Sequence, residues 1–208
     1  MTSAANVQKK SMTILIPEGL VPLATLNAVN DLVEKYGLQV YLSTAQNLRI
    51  LNFKDEDEEA IKKALASVGA VFKGPGKFPL PRVCVGENYC KLGVVDTFAL
   101  SKKITAKFGG RTGVKPKFKI AVSGCPASCA GTHTTDIGVK ATRSGYEIYV
   151  GGKGGAIPRT GRRIAKGADE FKVLEVIERV VDFHDQHTTK KQRMSKVIDL
   201  PDFPYPEV

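Results

Sequence analysis

The 208-residue sequence contains no tryptophan, only three histidines and only four cysteines. It has no apolar run approaching the roughly 20 residues that span a bilayer. Its first ten residues lack the apolar stretch of a secretory signal. Neither a Gly-x-Gly-x-x-Gly pattern nor a phosphate-binding loop appears. We therefore expect a cytoplasmic protein that does not cross a membrane and has no nucleotide site. With 42% hydrophobic residues, the chain can form a packed core.

The sequence has fewer acidic than basic residues. The chain has 31 Lys and Arg against 21 Asp and Glu, a formal net charge of +10. Between positions 100 and 168, only Asp136 and Glu147 oppose the basic residues. Such a stretch favours a negatively charged partner, which can be nucleic acid, an anionic surface or a polyanionic ligand. Because no aromatic residues are interleaved with the basic ones as a stacking platform, we expect no nucleic acid partner.

The first 73 residues predict a β-α-β-β-α-β order, which is that of a ferredoxin-like α/β sandwich. The expected strands are short β-prone runs at 11–16, 38–42, 48–53 and 70–73. The first helix should begin near Pro22, turn Leu23 and Leu26 inward, and end at Gly37. The second helix should begin near Asp55, where acidic residues suit the positive end of the helix dipole. The sequence therefore predicts an α+β protein with an N-terminal ferredoxin-like domain.

A Gly- and Pro-rich segment at 74–82 predicts a linker to a second, α/β domain at 83–190. Helices are expected over 93–108 and 170–184, the latter with Phe171, Leu174, Ile177 and Val181 inward. Strands are expected over 117–123, 135–140 and 146–150. Residues 191–208, which are rich in proline, should form an extended tail over the surface.

The four cysteines form two close pairs, Cys84-x5-Cys90 and Cys125-x3-Cys129. In a cytosolic chain, such pairs are seldom disulfides and favour a metal site. Iron–sulfur clusters are held by four thiolates. Structural zinc also takes four cysteines, but usually with about two to four residues inside each pair. The five-residue gap therefore favours an iron–sulfur cluster, with zinc or buried free thiols as alternatives.

The residues around these pairs resemble the sirohaem-dependent sulfite and nitrite reductases. That family's pattern is Cys-x5-Cys followed by (Thr/Ser)-Gly-Cys-Pro-x-x-Cys, and the second half is matched here by Ser-Gly-Cys-Pro-Ala-Ser-Cys at 123–129. The pair Gln46-Asn47, the triplet at 136–138 and the Gly151-Gly152 loop also resemble features of the family. The resemblance covers about residues 12–165.

The resemblance implies a [4Fe–4S] cluster on all four cysteines, and a sirohaem whose iron takes the Cys129 thiolate as its axial ligand. It implies an oxidoreductase that reduces sulfite to sulfide, or nitrite to ammonia, with six electrons from a separate donor protein. Because sirohaem carries many carboxylates, the basic stretch is expected to bind it. The candidate residues are Arg111, Lys153, Arg159, Arg162, Arg163 and, as a further lining residue, His133. A solvated basic face and a turn histidine are the alternative interpretations.

Lys117 and Lys119 share one face of the predicted strand that leads into the second cysteine pair. The resemblance implies that this Lys-x-Lys holds the anionic substrate and delivers protons. The alternative is an edge strand whose lysines prevent aggregation. One departure from the family is Ala45, which stands where larger relatives place a substrate-contacting arginine. Arg49 and Arg82 are the candidates to replace it.

Family members commonly contain two copies of this unit, and their substrate lysines come from the half opposite the cluster cysteines. This chain holds one copy, so we expect a symmetric homodimer that rebuilds the site in trans. A monomer with a more exposed haem is the alternative. Two other functions stay open: a non-catalytic electron-transfer or tetrapyrrole-binding protein, and a zinc-stabilised nucleic-acid binder.

Overall fold

The computed structural model describes residues 10–190 and 192–208. The chain divides into two compact units between Lys73 and Gly74. Among the described residues, no helix is both long enough and apolar enough to span a membrane.

The first unit is an antiparallel sheet with two helices. Its elements are β1 (Ser11–Leu15), α1 (Leu23–Tyr36), β2 (Gln39–Leu42), β3 (Leu48–Leu51), α2 (Glu58–Ser67) and β4 (Val71–Phe72). The strand order is β2-β3-β1-β4, and all pairs are antiparallel. This arrangement confirms the predicted ferredoxin-like β-α-β-β-α-β fold.

Helix α1 does not bury the face that its sequence predicted. Leu23 is 71% exposed and Leu26 is 52% exposed, although both were expected inward. The buried positions are Thr25, Val29 and Leu32, which follow one another at spacings of four and three. The apolar periodicity identified the helix correctly but misplaced its inward stripe in the first turn.

The second unit is built on a five-stranded mixed sheet. Its elements are β5 (Arg82–Val83), α3 (Gly86–Tyr89), α4 (Thr97–Phe108), β6 (Ile120–Ser123), β7 (Ile137–Thr142), β8 (Gly145–Val150), β9 (Arg162–Ala168) and α5 (Glu170–His187). The strands lie in the order β5-β6-β7-β8-β9. The first three are parallel, and β8 and β9 join them antiparallel. The expected α/β architecture is therefore confirmed.

The two faces of this sheet differ in character. One face forms the apolar core, where Ile137 and Val139 of β7 lie with Ile104 of α4 and Ile177 of α5. The opposite face is crossed by the connection between β6 and β7. Gly138 allows this crossing, because a Cβ there would lie 1.8 Å from the carbonyl oxygen of Thr132. The connection that contains the second cysteine pair therefore lies directly on the sheet.

Several predicted boundaries in this unit were wrong. Helix α4 begins at Thr97 rather than at 93, because the Asp96 carboxylate accepts hydrogen bonds from the amides of Phe98 and Ala99, each at 2.9 Å. Strand β6 begins only at Ile120. It lies between β5 and β7, so the edge-strand interpretation of the two lysines was also wrong. Phe171, expected inward, is 78% exposed.

Two strands were missed, and part of the tail was misjudged. β5 has only two residues. In β9, buried and exposed residues do not alternate strictly, and its pairing with β8 contains register shifts. The tail was expected to lie extended on the surface. Instead, a 3-10 turn at Met194–Lys196 begins a segment whose Met194, Val197 and Ile198 are buried in the core. Burial of apolar side chains draws this segment inward.

The two faces of α5 can be compared by mutation. Ile177→Ala should destabilise the protein by about 2–5 kcal/mol, because it leaves a cavity in a fully buried position. Phe171→Ala should change the free energy of unfolding by less than about 0.5 kcal/mol, because its ring is in solvent. Urea denaturation followed by far-UV circular dichroism measures both. Equal losses in the free energy of unfolding for the two variants would contradict the described orientation of α5.

Candidate metal centre

The two cysteine pairs meet where neighbouring parallel strands end. Cys84 directly follows β5, and Cys125 comes two residues after β6. The pairing of these strands continues past their ends, since the Cys84 amide donates to the Val122 carbonyl oxygen at 3.3 Å. The Gly124 amide donates to Cys84 Sγ at 3.2 Å. The carboxyl ends of parallel strands are a common place for ligand sites, and here they bring one member of each pair together.

The loop of the first pair folds back over Gly124. The Val94 amide donates to the Gly124 carbonyl oxygen at 2.8 Å, and the Glu87 amide donates to the Val95 carbonyl oxygen at 3.0 Å. A Cβ on Gly124 would lie 2.8 Å from the Cα of Gly86. The backbones of the two cysteine loops are therefore in direct contact, and only glycine permits this at position 124.

The loop of the second pair is shaped by Ser128, which adopts a left-handed backbone with φ of 56°. A residue other than glycine rarely does so. Its hydroxyl lies 2.6 Å from that of Thr132, and its carbonyl oxygen accepts from the Gly131 amide at 2.8 Å. Arg82 Nε donates to the Ala130 carbonyl oxygen at 2.7 Å, which ties β5 to the same loop. Arg82 thus fixes the loop after Cys129, a role that the sequence did not reveal.

All four thiols are free, and they differ in exposure. Cys125 is buried, Cys84 and Cys90 are partly exposed, and Cys129 is exposed. Within residues 10–190 and 192–208, no three His, Cys, Asp or Glu side chains are arranged to hold a single metal ion. Four thiols on two touching loops, with an amide donating to one sulfur, fit an iron–sulfur cluster.

Lys117 and Lys119 lie at the other end of β6 from the cysteines. Five residue steps separate Lys119 from Gly124, about 16 Å at the usual strand rise of about 3.3 Å per residue. Lys117 belongs to a turn in which its amide donates to the Lys115 carbonyl oxygen at 2.9 Å. The Lys119 amide donates to Asp136 Oδ2 at 3.1 Å. Both lysine side chains are exposed.

Most of the basic residues expected to bind sirohaem form ion pairs within the chain. Arg111 Nη2 lies 2.6 Å from Asp182 Oδ1 and 3.0 Å from Asp185 Oδ2, both on α5. Asp199 pairs with two arginines: its Oδ2 lies 2.9 Å from Arg159 Nη2, and its Oδ1 lies 2.5 Å from Arg162 Nη2. Arg163 Nη1 lies 3.2 Å from Glu147 Oε1. Lys153 pairs with Arg159 through backbone amides and carbonyls at 2.8–2.9 Å.

His133 belongs to the connection between β6 and β7, on the face of the sheet opposite the apolar core. Its ring centroid lies 4.3 Å from that of Tyr149. Burial, and next the positive charge of Lys140, lower the pKa of His133, so that the neutral imidazole is favoured near pH 7. Lys140 Nζ lies 2.8 Å from Glu147 Oε2, and the Tyr149 hydroxyl donates to the same oxygen at 2.8 Å. The sequence did not predict this buried network.

In the first unit, the residues predicted to bear on substrate binding are Arg49 and the turn around Ala45. They lie on and near β3. Arg49 Nη2 donates to Ser11 Oγ at 2.6 Å. Ala45 is exposed in a turn closed by a bond from the Gln46 amide to the Ser43 carbonyl oxygen at 2.9 Å. The Ile16 amide donates to Asn47 Oδ1 at 3.0 Å, so the asparagine of this turn anchors it to the end of β1.

The fold and the thiols together define an iron–sulfur protein with a ferredoxin-like N-terminal unit. Residues 80–200 match the family model described as the nitrite and sulphite reductase 4Fe-4S domain. Residues 6–68 match the model of the nitrite/sulfite reductase ferredoxin-like half domain. The chain belongs to the nitrite and sulfite reductase family. Membership implies the [4Fe–4S] cluster and sirohaem that the sequence led us to expect.

Relatives of very different lengths share this similarity. The chain is 26% identical over 201 residues to the assimilatory-type sulfite reductase of Nitratidesulfovibrio vulgaris, covering 94% of this chain and 91% of that protein. It is 30% identical over 195 residues to the nitrite reductase [NAD(P)H] of Bacillus subtilis, covering 92% of this chain. The chain spans only 18–24% of the length of this and two other nitrite reductases. The structure of Mycobacterium tuberculosis NirA has the same fold, with a TM-score of 0.73 and 21% identity, covering 90% of this chain and 37% of that one.

The contact between the two cysteine loops can be tested at Gly124. Gly124→Ala should reduce the iron and acid-labile sulfide content of anaerobically purified protein by more than half, because the added Cβ pushes Gly86 and its loop away. Gly110→Ala is the matched control, since a Cβ there meets nothing within 4 Å. Full iron content in Gly124→Ala would show that the cluster does not depend on this contact.

Proposed function

We propose that this protein reduces sulfite to sulfide with six electrons, using a sirohaem joined to a [4Fe–4S] cluster through Cys129. The main support is the convergence of the two cysteine loops at the ends of β5 and β6, inside a segment that matches the family's 4Fe-4S domain. Cys129 is the exposed thiol of the four, which suits a sulfur shared with a second cofactor. The proposal places the reaction in the cytoplasm, where the thiols stay reduced.

We propose sulfite because the assimilatory-type sulfite reductase of Nitratidesulfovibrio vulgaris is similar to this chain over 91% of its own length. The nitrite reductases are similar to the same region, so nitrite is tested beside sulfite. The names of three relatives contain NAD(P)H, ferredoxin and coenzyme F420, respectively. Because this sequence has no nucleotide-binding pattern, we propose that its electrons come from a separate donor protein.

When bound, the two cofactors supply stored electrons and an open iron coordination position for the substrate. In the proposed mechanism, Lys117 and Lys119 attract the anion and hold it by charge-assisted hydrogen bonds. Their ammonium groups also stabilise negative charge as S–O bonds break, and they donate protons to the departing oxygen. Both side chains are exposed, so they can exchange protons with solvent between steps.

The ion pairs separate the proposed sirohaem-binding residues into two groups. Arg159 and Arg162 pair with the exposed Asp199, and such surface pairs are worth at most about 1 kcal/mol. With Lys153 they remain our candidates for the sirohaem carboxylates. Arg163 neutralises the buried Glu147, and Arg111 is held by two carboxylates of α5. We therefore leave these two out of the proposed site.

We further propose that two copies of the chain form the site. Within one chain, the lysines and the cysteine loops lie at opposite ends of β6, with Lys119 about 16 Å from Gly124 along the backbone. A lysine side chain is too short to cover this distance. A two-fold symmetric dimer can place the lysines of one copy beside the cysteines of the other. In this arrangement, each active site takes residues from both copies.

The activity can be tested with anaerobically purified holoprotein and reduced methyl viologen as the electron source. Sulfite reduction should exceed nitrite reduction, and the spectrum should show a Soret-like band. Lys119→Met should lower kcat/KM for sulfite by about 10²-fold or more, as expected for a lost general acid. Lys166→Met, which removes an exposed lysine on β9, should have no such effect. A tetrapyrrole band without reduction of either anion would instead support the non-catalytic alternative.

The dimer can be tested by mixing two inactive variants, Lys117→Met and Cys129→Ser. In a site built in trans, each mixed dimer contains one intact site and one site with both defects. Random mixing should therefore recover about a quarter of wild-type activity, because half of the dimers are mixed and each has one working site of two. No recovery in mixtures that demonstrably contain mixed dimers would exclude the trans arrangement.

A further inference from the structure

Asp136 is a fully buried carboxylate at the start of β7, at the same end of the sheet as Lys119. Its Oδ2 accepts from the Lys119 amide at 3.1 Å. Its Oδ1 accepts from Arg193 Nε at 2.8 Å and from the Met194 amide at 2.9 Å. One buried side chain therefore joins the proposed substrate lysine to a segment more than 70 residues further along the chain.

The backbone of Lys119 is held on both sides by residues next to Asp136. While its amide donates to the carboxylate, its carbonyl oxygen accepts from the Ile137 amide at 3.1 Å and from Thr135 Oγ1 at 3.3 Å. Lys119 immediately precedes the first residue of β6, so the bond from the Ile137 amide is the outermost hydrogen bond between β6 and β7. The bonds from 135–137 therefore set the direction in which this residue leaves the sheet.

Arg193 extends the same cluster to the glycine loop after β8. Its Nη2 donates to the Gly152 carbonyl oxygen at 3.3 Å. A Cβ on Gly152 would lie 2.4 Å from the His133 carbonyl oxygen, so this loop is already close to the connection between β6 and β7. The arginine is itself fixed by the core, because Met194, Val197 and Ile198 after it are buried. Hydrogen bonds or burial therefore connect each part of the cluster to the rest of the second unit.

Removal of Arg193 would leave the Asp136 carboxylate buried with only amide donors. Burial raises the pKa of Asp136, and the positive charge of Arg193 opposes that rise. A buried carboxylate without its partner must take up a proton, draw in water or move. Each of these responses weakens or shifts the acceptor of the Lys119 amide.

We infer that Asp136 and Arg193 are a positioning pair, which holds Lys119 in the orientation needed to bind the substrate anion. The effect on backbone order at Lys119 follows from the hydrogen bonds alone. The effect on the anion rests on the proposed function. We assign the pair a role through the backbone of Lys119, not through contact with the anion.

The test compares Arg193→Met with Arg179→Met in the holoprotein. Arg179→Met is the matched control, because it removes an exposed ion pair with Glu175 on α5. Hydrogen–deuterium exchange of peptides that cover 117–120 should become at least about tenfold faster in Arg193→Met and stay unchanged in the control. Exchange at wild-type rate in Arg193→Met would overturn the inference, whatever the protein catalyses.

The second measurement is the KM for sulfite. Arg193→Met should raise KM about tenfold with iron content and Soret maximum unchanged, and should raise it no further when Lys119 is already Met. A KM effect of the same size in both backgrounds would mean that Arg193 does not act through Lys119. If Arg193→Met does not fold, Arg193→Gln replaces it with the same two expectations, since it also removes the charge beside Asp136. Arg193→Lys, which keeps that charge, should restore most of both readouts. Absence of sulfite reduction in the wild type would reject the proposed function and leave the exchange result standing.

Discussion

The contact between Gly86 and Gly124 is the constraint on which the metal centre depends. Parallel pairing of β5 and β6 brings two strand ends side by side, and each end continues into a loop with two cysteines. These loops touch through their backbones, without side chains between them. Everything proposed for the cofactors follows from this closeness, because a four-thiolate site needs both loops at once.

The same strand that unites the cysteines separates them from the proposed substrate lysines. β6 is only four residues long, yet it suffices to place the two groups at opposite ends of the sheet. Within one chain, the cysteines and the proposed substrate lysines therefore do not meet. The proposed reaction therefore needs a second unit to bring such lysines beside the cysteines.

Residue spacing and apolar periodicity predicted much of the fold, because both reflect interactions between residues that are close in sequence. The cysteine spacing favoured the iron–sulfur cluster that family membership implies, and the apolar periodicity predicted the ferredoxin-like unit and helix α5. Features that depend on distant residues were missed. Strand β5 exists only because Val83 and its neighbour pair with β6, and the partners of Arg159 and Arg162 lie about 40 positions away at Asp199. The role of Asp136 is defined by residues 119 and 193, which no periodicity connects.

The burial of Met194, Val197 and Ile198 has a consequence for biosynthesis. These side chains complete the core of the second unit, and they follow both cysteine pairs in the chain. The sheet that supports the cysteine loops therefore lacks part of its hydrophobic support until translation has passed residue 198. We therefore expect stable cofactor insertion only after residue 198 has been translated, although all four cysteines are translated earlier.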